Sequence, residues 1–531
     1  MFEQRGWRVE NLRPDDAVTF PLLRIVGRVP LTANLAGIEA RVLNAAPGSL
    51  ASELQRPLWP VNSSTRCFVA LVWLQPGVNQ VALAATGSSP TVLFSVHYLA
   101  LPWDYAVRAV YVIPSDAVDE RFQAPEDEPS AVTSAVCRFA MALRLMQTAA
   151  GELLFQQGLG RSSFCVERME DACACPLPAH QEQLHCVYEV PVHVRRLSRT
   201  RAELHAMTGD ALWGYIAQEL SSIPDRDQRI DVVVMSFTWK NPNTGEVYGH
   251  TALGGGFLAL FGSSGMYAWP QNLTEVPKRF SDRRRVDGER FFDDSAGRGE
   301  RWALAATSIG AMLHELGHCL SLPHPCQGGG IMARGFDYFY RLFTVHDVFP
   351  EHNGHEPYWD RSAACRLHFH PYFVGALAVV GNPVPSRVPV PVASPTPAIH
   401  TGSAATDGPG TYEQYANLVR LLPVTNGAAA KARPDHPLHA SDRLPRVILD
   451  SNGLVHIWAA NGIGHIGYYI DGDVAAHDEF IDSARPVEHF EIALHEICHR
   501  CHVSKPTSTL RISCIDHLGQ MDDQFEHKVV K

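Results

Sequence analysis

Residues 314–324 read HELGHCLSLPH and arrange three histidines and one glutamate at the spacing of a metal site. On a helix, His314 and His318 project from the same face, one turn apart, within reach of one metal ion. Pro323 cannot continue a helix, so the chain must turn there and can bring His324 back as a third ligand. Three imidazoles leave the fourth position of a tetrahedral zinc ion open, which is typical of catalytic rather than structural zinc.

Glu315 completes the predicted site. It follows the first histidine and is aimed at the open side of the metal, where its carboxylate can accept a proton from water and deliver it to a leaving group. The sequence therefore predicts one catalytic Zn²⁺ ion held by His314, His318 and His324, with Glu315 as the general base. The alternative is a buried helix whose histidines are satisfied by ordinary hydrogen bonds.

The spacing of the third histidine makes this prediction specific. With 26 histidines in 531 residues, a bare HExxH is expected by chance in roughly one such chain in ten, and the third histidine lowers that expectation to roughly a few in a thousand. A second HExxH, His495 to His499, lacks a histidine at the third offset and follows the alternating run Phe490 to Leu494. That alternation predicts strand and loop residues, although Cys498, Cys501 and His502 leave a structural metal as an open alternative.

The segment after the third histidine carries a family resemblance. A glycine-rich turn, Gly328 to Ile331, is followed by Met332. It resembles the Met-turn of the metzincin zinc endopeptidases, whose thioether forms an apolar floor beneath three histidines. With the later motifs WD at 359–360 and LHFHPYF at 367–373, the chain resembles a family of zinc metallopeptidases best known from fungi, over about Tyr105 to Phe373.

The chain departs from the metzincin pattern at two places. Ser321 stands where the long metzincin motif has glycine, because the backbone there is left-handed, and a serine adopts that conformation only at a steric cost. No tyrosine stands two residues after Met332, where some metzincins place one. Tyr338 and Tyr340 are the remaining candidates for stabilising a tetrahedral intermediate.

Composition bounds the class of protein. An apolar fraction of 46% and a charged fraction of 19% over 531 residues predict a soluble chain of two to four domains. The formal charge of −11 argues against nucleic acid as the main partner. No apolar run approaches the roughly 20 residues of a membrane span and no signal core is visible near the start, so we expect a cytoplasmic protein with mostly reduced cysteines. The oligomeric state is unknown.

The hydrophobic pattern divides the chain into four parts and predicts a multidomain α+β fold. Residues 1–103 are expected to form an N-terminal, immunoglobulin-like β-sandwich, because short apolar runs alternate with Gly, Pro and Asn. Residues 104–376 are expected to form a metzincin-like α/β catalytic domain. Residues 377–435 read as a Pro-rich linker, densest at 383–409, with a possible short helix at 412–422. Residues 436–531 are expected to form a small C-terminal β-domain.

Within the catalytic domain, strands and helices alternate. The predicted elements are strand Ala106–Ile113, helix Ser130–Leu154, helix Arg199–Leu220, strand Ile230–Met235, strand Gly254–Phe261 and helix Trp302–Leu320. In a metzincin-like fold the strand at 254–261 lies at the edge of the cleft, so Gly256, Phe257, Leu258 and Ala259 are predicted to pair with an extended substrate. An ordinary core strand is the alternative.

Two functions of different class follow from these observations. The first is a zinc endopeptidase that hydrolyses peptide bonds in peptide or protein substrates. The second is a silent or latent zinc-binding adaptor whose β-domains recognise protein, glycan or lipid. Glu315 favours the first, because a structural site needs no general base. A basic run at 278–285 and an acidic stretch at 119–128 are both expected to be solvated loops.

Overall fold

The computed structural model describes residues 1–30, 37–53, 57–100, 105–174, 182–221, 228–325, 329–345, 356–374, 444–481, 486–503 and 507–530. The chain divides into two compact units, Met1–Ala376 and Leu377–Lys531. The predicted linker at 383–409 and the helix at 412–422 lie outside the described residues. Among the described helices, none is both long enough and apolar enough to cross a lipid bilayer.

The first unit begins with two sheets. Their strands are β1 (Phe2–Gln4), β2 (Trp7–Val9), β3 (Asp16–Val18), β4 (Leu22–Arg28), β5 (Gly37–Val42), β6 (Trp59–Pro60), β7 (Cys67–Trp73), β8 (Gly77–Ala85) and β9 (Val92–Tyr98), with the short helix α1 (Leu50–Glu53). One sheet has the order β1-β2-β4-β7 and the other β3-β9-β8-β5-β6. In β9, Val92, Phe94 and Val96 are buried while Leu93 is exposed, because successive side chains of a strand point to opposite faces.

A six-stranded sheet forms the centre of the first unit. The strands that follow are β10 (Ala106–Ile113), β11 (Glu182–Val187), β12 (Val190–Arg196), β13 (Arg229–Met235), β14 (Trp239–Lys240), β15 (Val247–Tyr248), β16 (Ala252–Gly255) and β17 (Leu258–Gly262). The central order is β11-β12-β10-β13-β17-β16. The four inner strands are parallel and the two edge strands antiparallel. Strands β10 and β13 are buried along their whole length, as expected of parallel strands in an α/β arrangement.

The helices of the first unit are α2 (Val132–Gln156), α3 (Met169–Ala174), α4 (Arg201–His205), α5 (Gly209–Leu220), α6 (Val276–Arg279), α7 (Arg301–Cys319), α8 (Arg361–Phe369) and α9 (Pro371–Val374). Short 3-10 helices lie at Met266–Ala268, Leu273–Glu275 and Arg334–Leu342. Helix α7 packs against β16 and β17. Its residues Ile309, Leu313 and Leu316 are almost completely buried, as their helical spacing predicts. This packing orients the motif at the C-terminal end of α7.

The single helix predicted over Arg199–Leu220 is wrong, because the structure has two helices there. Thr200 caps α4 in a capping box with Glu203. Thr208 then caps α5 by accepting a hydrogen bond from the backbone N–H of Ala211. Helix α4 ends at His205 with Ala206 as its C-cap, and the extended backbone of Thr208 starts a separate helix.

The single strand predicted over Gly254–Phe261 is also corrected. Gly256 adopts a φ of +54°, open to glycine at little cost, and forms with Phe257 the turn that joins β16 to β17. Leu258 and Ala259 lie in β17, which pairs with β13 on one side and with β16 on the other. Gly256, Phe257, Leu258 and Ala259 therefore do not form the edge of the sheet. The edge strand on this side of the sheet is β16, Ala252–Gly255.

The second unit contains two further sheets. Its elements are β18 (Arg446–Leu449), β19 (Leu454–Trp458), β20 (Ile463–Ile470), β21 (Asp473–Glu479), β22 (His489–Ala493), α10 (Leu494–Arg500), β23 (Thr507–Asp516) and β24 (Met521–Val530). The sheets have the orders β18-β19-β22 and β21-β20-β23-β24. Val455, Ile457, Ile466 and Ile512 lie in their shared core.

The second HExxH motif lies on α10, so the strand and loop predicted for it are wrong. Strand β22 ends at Ala493, and His495, Glu496 and His499 are exposed on the helix that follows. Among the described residues, Cys498, Cys501 and His502 are not among the groups whose ligand atoms converge on one point. The motif therefore lacks the geometry of a metal centre.

Candidate metal centre

Three imidazoles meet at the C-terminal end of α7. The Nε2 atoms of His314 and His318 lie 3.0 Å apart, those of His318 and His324 3.1 Å, and those of His324 and His314 3.2 Å. Zinc–nitrogen bonds of about 2.0–2.1 Å in a tetrahedron separate two ligand atoms by about 3.3 Å. The three nitrogens thus have nearly the spacing that a tetrahedral zinc ion requires.

Hydrogen bonds on the far side of two rings fix which nitrogen faces the centre. The Nδ1 atom of His314 donates to the carbonyl oxygen of Ile331 at 2.7 Å, and that of His318 donates to the carbonyl oxygen of Leu322 at 2.9 Å. A carbonyl oxygen can only accept, so each Nδ1 carries the hydrogen and each Nε2 directs a lone pair toward the common point. This is the tautomer that metal-binding histidines use. The donor set therefore fits zinc.

The electrostatics of the cluster keep the imidazoles of His314 and His318 neutral. Burial lowers the pKa of His318 to about 4. Burial also lowers the pKa of His314 well below its ordinary value, and the other two imidazoles and Arg334 act in the same direction. Neutral imidazole is the metal-binding form, so both side chains are ready to bind metal at neutral pH.

The turn after α7 delivers the third histidine. The backbone N–H of Leu322 donates to the carbonyl oxygen of Gly317, and that of Ser321 to the carbonyl oxygen of His318, in the pattern of a Schellman cap. Ser321 has a φ of +60°, the left-handed conformation that the glycine of the metzincin motif predicts. Arg366 on α8 donates to the carbonyl oxygen of Ser321 at 3.0 Å. Ser321 therefore differs from the consensus glycine in residue type but has the same left-handed backbone conformation.

Met332 packs directly against the ligand-bearing turn of α7. Its side chain is 1% exposed, and a Cβ added to Gly317 would lie 2.4 Å from its Sδ atom. Gly317 precedes His318, so the absence of a side chain at 317 is what admits the thioether. Tyr358 holds the glycine-rich turn that precedes Met332. Its hydroxyl accepts a hydrogen bond from the N–H of Gly329, and its carbonyl oxygen accepts one from the N–H of Ile331. No local sequence pattern identifies Tyr358.

The carboxylate of Glu315, a residue of α7, contacts the edge strand β16. Burial raises the pKa of Glu315 to about 8, and a hydrogen bond from the backbone N–H of Gly254 acts in the opposite direction. Gly254 approaches α7 so closely that a Cβ there would lie 2.0 Å from the carbonyl oxygen of Glu315. The true edge strand of the sheet, rather than the segment predicted from sequence, therefore borders the predicted general base.

The guanidinium of Arg334 lies close to the histidine cluster. The ring of Phe336 stands edge-on to that of His314, with 5.3 Å between centroids, and the guanidinium of Arg334 lies 4.8 Å above the centroid of Phe336. Arg334 is mostly exposed and donates to both carboxylate oxygens of Asp337, at 3.1 and 3.2 Å. Arg334 occupies the position two residues after Met332.

Neither tyrosine considered for the intermediate lies near the histidines. Tyr340 is buried against Trp302, with 4.8 Å between ring centroids. Trp302 is twelve residues before His314 on the same helix, about 18 Å along its axis. Tyr338 lies under the guanidinium of Arg298, which in turn lies over Trp302. These contacts are with groups at the N-terminal end of α7, so they do not support a role for Tyr338 or Tyr340 at the histidines.

The predicted basic and acidic loops meet in one ion-pair network. The buried carboxylate of Glu128 accepts hydrogen bonds from Arg138, Arg279, Arg284 and Arg301. Burial alone would raise the pKa of Glu128, but hydrogen bonds and charge from Arg279 and Arg138 outweigh it and hold the pKa below its ordinary value. Since Arg301 is the first residue of α7, the network anchors the helix that carries the motif. The basic and acidic segments are therefore joined by ion pairs at Glu128 and are not the separate solvated loops that the sequence predicts.

A family model and two relatives match this chain. Residues 6–388 match the family model Metallopep, described as "Putative peptidase family". A protein of Schizosaccharomyces pombe is 28% identical over 322 residues, 58% of this chain and 51% of the relative. A protein of Saccharomyces cerevisiae is 24% identical over 404 residues, 68% of this chain and 54% of the relative. Both are described as "Putative zinc metalloproteinase". The chain spans about half the length of these relatives.

Solved structures offer a more distant likeness. The crystal structure of wild-type OgpA from Akkermansia muciniphila has a TM-score of 0.39 and 13% sequence identity, with coverage of 81% of this chain and 94% of OgpA. Catalytically inactive OgpA in complex with an O-glycopeptide substrate has a TM-score of 0.39 at 12% identity, with the same coverage. A likeness at this level carries no conclusion about site or substrate.

Proposed function

The chain belongs to the Metallopep family of zinc metallopeptidases, and from this premise we propose that it is a zinc-dependent endopeptidase. His314, His318 and His324 hold one Zn²⁺ ion, and Glu315 acts as the general base. The observation that carries the proposal is the convergence of three Nε2 atoms within 3.2 Å of one another, two of them on rings whose Nδ1 atoms donate to backbone carbonyls.

The chemistry of peptide hydrolysis divides between the ion and the chain. When bound, zinc lowers the pKa of a coordinated water to roughly 7 and polarises the scissile carbonyl. Glu315 accepts the proton of the attacking water as the carbon–oxygen bond forms, and gives it to the amine nitrogen as the carbon–nitrogen bond breaks. The N–H of Gly254 stabilises the ionised carboxylate, which is the form that accepts the proton.

Strand β16 is the proposed binding surface for the substrate backbone. It is the edge of the central sheet and it borders Glu315. An extended peptide can add to an exposed edge by backbone hydrogen bonds. Gly254 and Gly255 present no side chains that would keep such a peptide away. The substrate is therefore an extended segment of a peptide or protein, with its scissile bond near Glu315.

Arg334 is the proposed stabiliser of negative charge on the substrate. Its guanidinium is exposed and neighbours His314 through the ring of Phe336. Asp337 fixes its orientation with two hydrogen bonds, so the group is held in place before substrate binds. Arg334 thereby takes the role for which Tyr338 and Tyr340 were considered.

The proposed domain organisation follows the sequence boundaries. We assign residues 104–376 to a metzincin-like catalytic domain, residues 1–103 to an N-terminal β-sandwich, residues 377–435 to a linker and residues 436–531 to a C-terminal β-domain. The two N-terminal sheets with apolar inner faces support the assignment of the sandwich. The Met-turn packing of Met332 on α7 supports the metzincin-like assignment.

The test compares the parent protein with Glu315→Gln on a diverse peptide library, with zinc content measured for each. Glu496→Gln, in the exposed second HExxH, is the matched control. We expect Glu315→Gln to lose activity by about 10²–10⁴-fold, with zinc content unchanged, while Glu496→Gln cleaves like the parent. Cleavage retained by Glu315→Gln would overturn the mechanism. Zinc bound without cleavage by any of the three would favour the silent adaptor.

A further inference from the structure

A second set of ligand atoms lies in the second unit, far along the chain from the first. On adjacent strands β19 and β22, His456 is paired with Glu491 and Trp458 with His489. Paired residues of antiparallel strands project from the same face. The Oε1 atom of Glu491 lies 3.1 Å from Nδ1 of His456 and 3.3 Å from Nε2 of His489. The three ligand atoms all lie within 4.8 Å of one another.

Trp458 fixes the two imidazole rings. It stacks on His456 with 5.2 Å between centroids at an interplanar angle of 10°, and on His489 with 4.7 Å at 2°. The two imidazole planes are consequently only 8° apart. Rings held in this way keep their nitrogen atoms aimed in a set direction, so little rotamer freedom is lost when a ligand binds.

Asp450 orients His456 from behind. Its Oδ2 atom lies 3.5 Å from Nε2 of His456, while its Oδ1 atom accepts from the backbone N–H groups of Asn452 and Leu454, both at 2.8 Å. A carboxylate on one ring nitrogen holds the hydrogen there and leaves the lone pair on the other. That other nitrogen is Nδ1, which faces Glu491.

Nδ1 of His456 lacks the hydrogen bond that its surroundings would suggest. The atom is buried and, among the described residues, no hydrogen-bond partner meets it in good geometry, although a carboxylate oxygen lies at 3.1 Å. A lone pair that faces an anionic oxygen at that distance is unfavourable unless a cation lies between them. A metal ion or a proton on the imidazole would both relieve the conflict.

We propose that His456, His489 and Glu491 bind a second divalent transition-metal ion, Zn²⁺ by preference. Two imidazole nitrogens and one carboxylate oxygen are a donor set that zinc accepts. The separations of 3.1 and 3.3 Å are those of ligand atoms that share a tetrahedral ion with bonds of about 2.0–2.2 Å. The ion bridges β19 and β22, and its remaining position faces solvent because His489 and Glu491 are exposed.

Zinc counting on the full chain tests the site. The chain is stripped with a chelator and titrated calorimetrically with Zn²⁺, in the parent and in a His314→Ala/His318→Ala background that removes the first site. We expect two ions per chain in the parent and one in the background. His489→Ala in the background should abolish that ion, and Asp450→Asn should weaken its binding by about 10–100-fold. His495→Ala, an exposed histidine on α10, is the matched control and should change nothing.

Two outcomes would overturn the site. They are a background that binds no ion, and an equal loss of zinc on His495→Ala and His489→Ala. The first would mean that His456 and Glu491 form an ordinary ion pair. A parent and a background that both bind one ion would leave this site standing and reject the first. If the background variant fails to fold by circular dichroism, the single variant His489→Ala in the parent still decides, because it should lower the count from two ions to one. Loss of cleavage activity plays no part in this readout, so the result is independent of the proposed function.

Discussion

Gly254 and Glu315 are in backbone contact: a Cβ on Gly254 would lie 2.0 Å from the carbonyl oxygen of Glu315. The same glycine donates its N–H to the Glu315 carboxylate. One residue of the edge strand thus determines both how closely β16 approaches α7 and how the proposed general base is oriented. A Cβ on the adjacent Gly255, by contrast, would meet no neighbouring atom within 4 Å.

Gly254→Ala should therefore impair catalysis without loss of metal. The added methyl group must push β16 away from α7 and displace Glu315, and a misplacement of about 1 Å can cost about 10²-fold in rate. We expect kcat/KM to fall by at least about tenfold, with an unchanged zinc content. Gly214→Ala, on α5, where an added Cβ meets no neighbouring atom within 4 Å, is the control and should retain activity. Equal effects of the two substitutions would contradict this role for Gly254.

Ser321→Gly should stabilise the protein. Serine at a φ of +60° carries a left-handed backbone penalty of roughly 1–2 kcal/mol, whereas glycine has none but loses about 0.5–1 kcal/mol in chain entropy. The net gain is about 0.5–1 kcal/mol, observable as a higher midpoint in urea unfolding of the metal-free chain. Ser321→Ala keeps the penalty and should give no gain. A lower midpoint for the glycine variant would show that the serine makes a compensating contact.

Glu128→Gln should destabilise the first unit strongly. The substitution leaves Arg138, which is 0% exposed, and its neighbours without their shared carboxylate. Removal of one partner from a buried charge network costs about 3–5 kcal/mol. The nearby Glu126, whose side chain is 92% exposed and pairs with Arg290, serves as the control, and Glu126→Gln should change the unfolding free energy by less than about 0.5 kcal/mol.

The buried side chain of His370 should make the stability of the folded protein sensitive to acid. Burial lowers the pKa of His370 to about 3, and Arg366 acts in the same direction. The unfolded chain binds a proton at this residue below about pH 6.5 while the folded chain does not, so stability present above pH 6.5 is lost as the pH falls toward 3.

His370→Asn should reduce that dependence. Asparagine retains an acceptor for the N–H of Tyr372, which donates to Nδ1 of His370, but does not titrate. The free energy of unfolding, measured by urea titration between pH 7 and pH 4.5, should fall less steeply in the variant, by up to about 1.4 kcal/mol per pH unit. Parallel curves for the two proteins would refute the assignment.

The sequence predicts best what depends on local spacing. His314, His318 and His324 are close in sequence, so helix periodicity and one proline suffice to predict that they converge. The left-handed conformation of Ser321 is the one that the resemblance to the metzincin motif implies. Strands β10 and β13 were predicted within one residue because long runs of β-branched residues leave few alternatives.

Features that depend on distant contacts were predicted poorly. The division of 254–261 into two strands depends on pairing with β13, which alternation along a single segment cannot reveal. The partnership of Tyr358 with the Met-turn joins residues about 30 positions apart. The network around Glu128 needs charges from residues more than 150 positions away, so the acidic and basic loops looked unrelated in sequence.

The short span of the metal ligands has a consequence for the order of folding. The three histidines fall within eleven residues, so they can come together by closing a small loop, at low entropic cost. Gly254, which positions Glu315, is about sixty residues upstream and reaches it only once the parallel strands have paired, a slower event. On the proposed function, a newly synthesised chain would therefore bind its zinc ion before Glu315, the proposed base, is in position. Such an intermediate would carry zinc without the proposed peptidase activity.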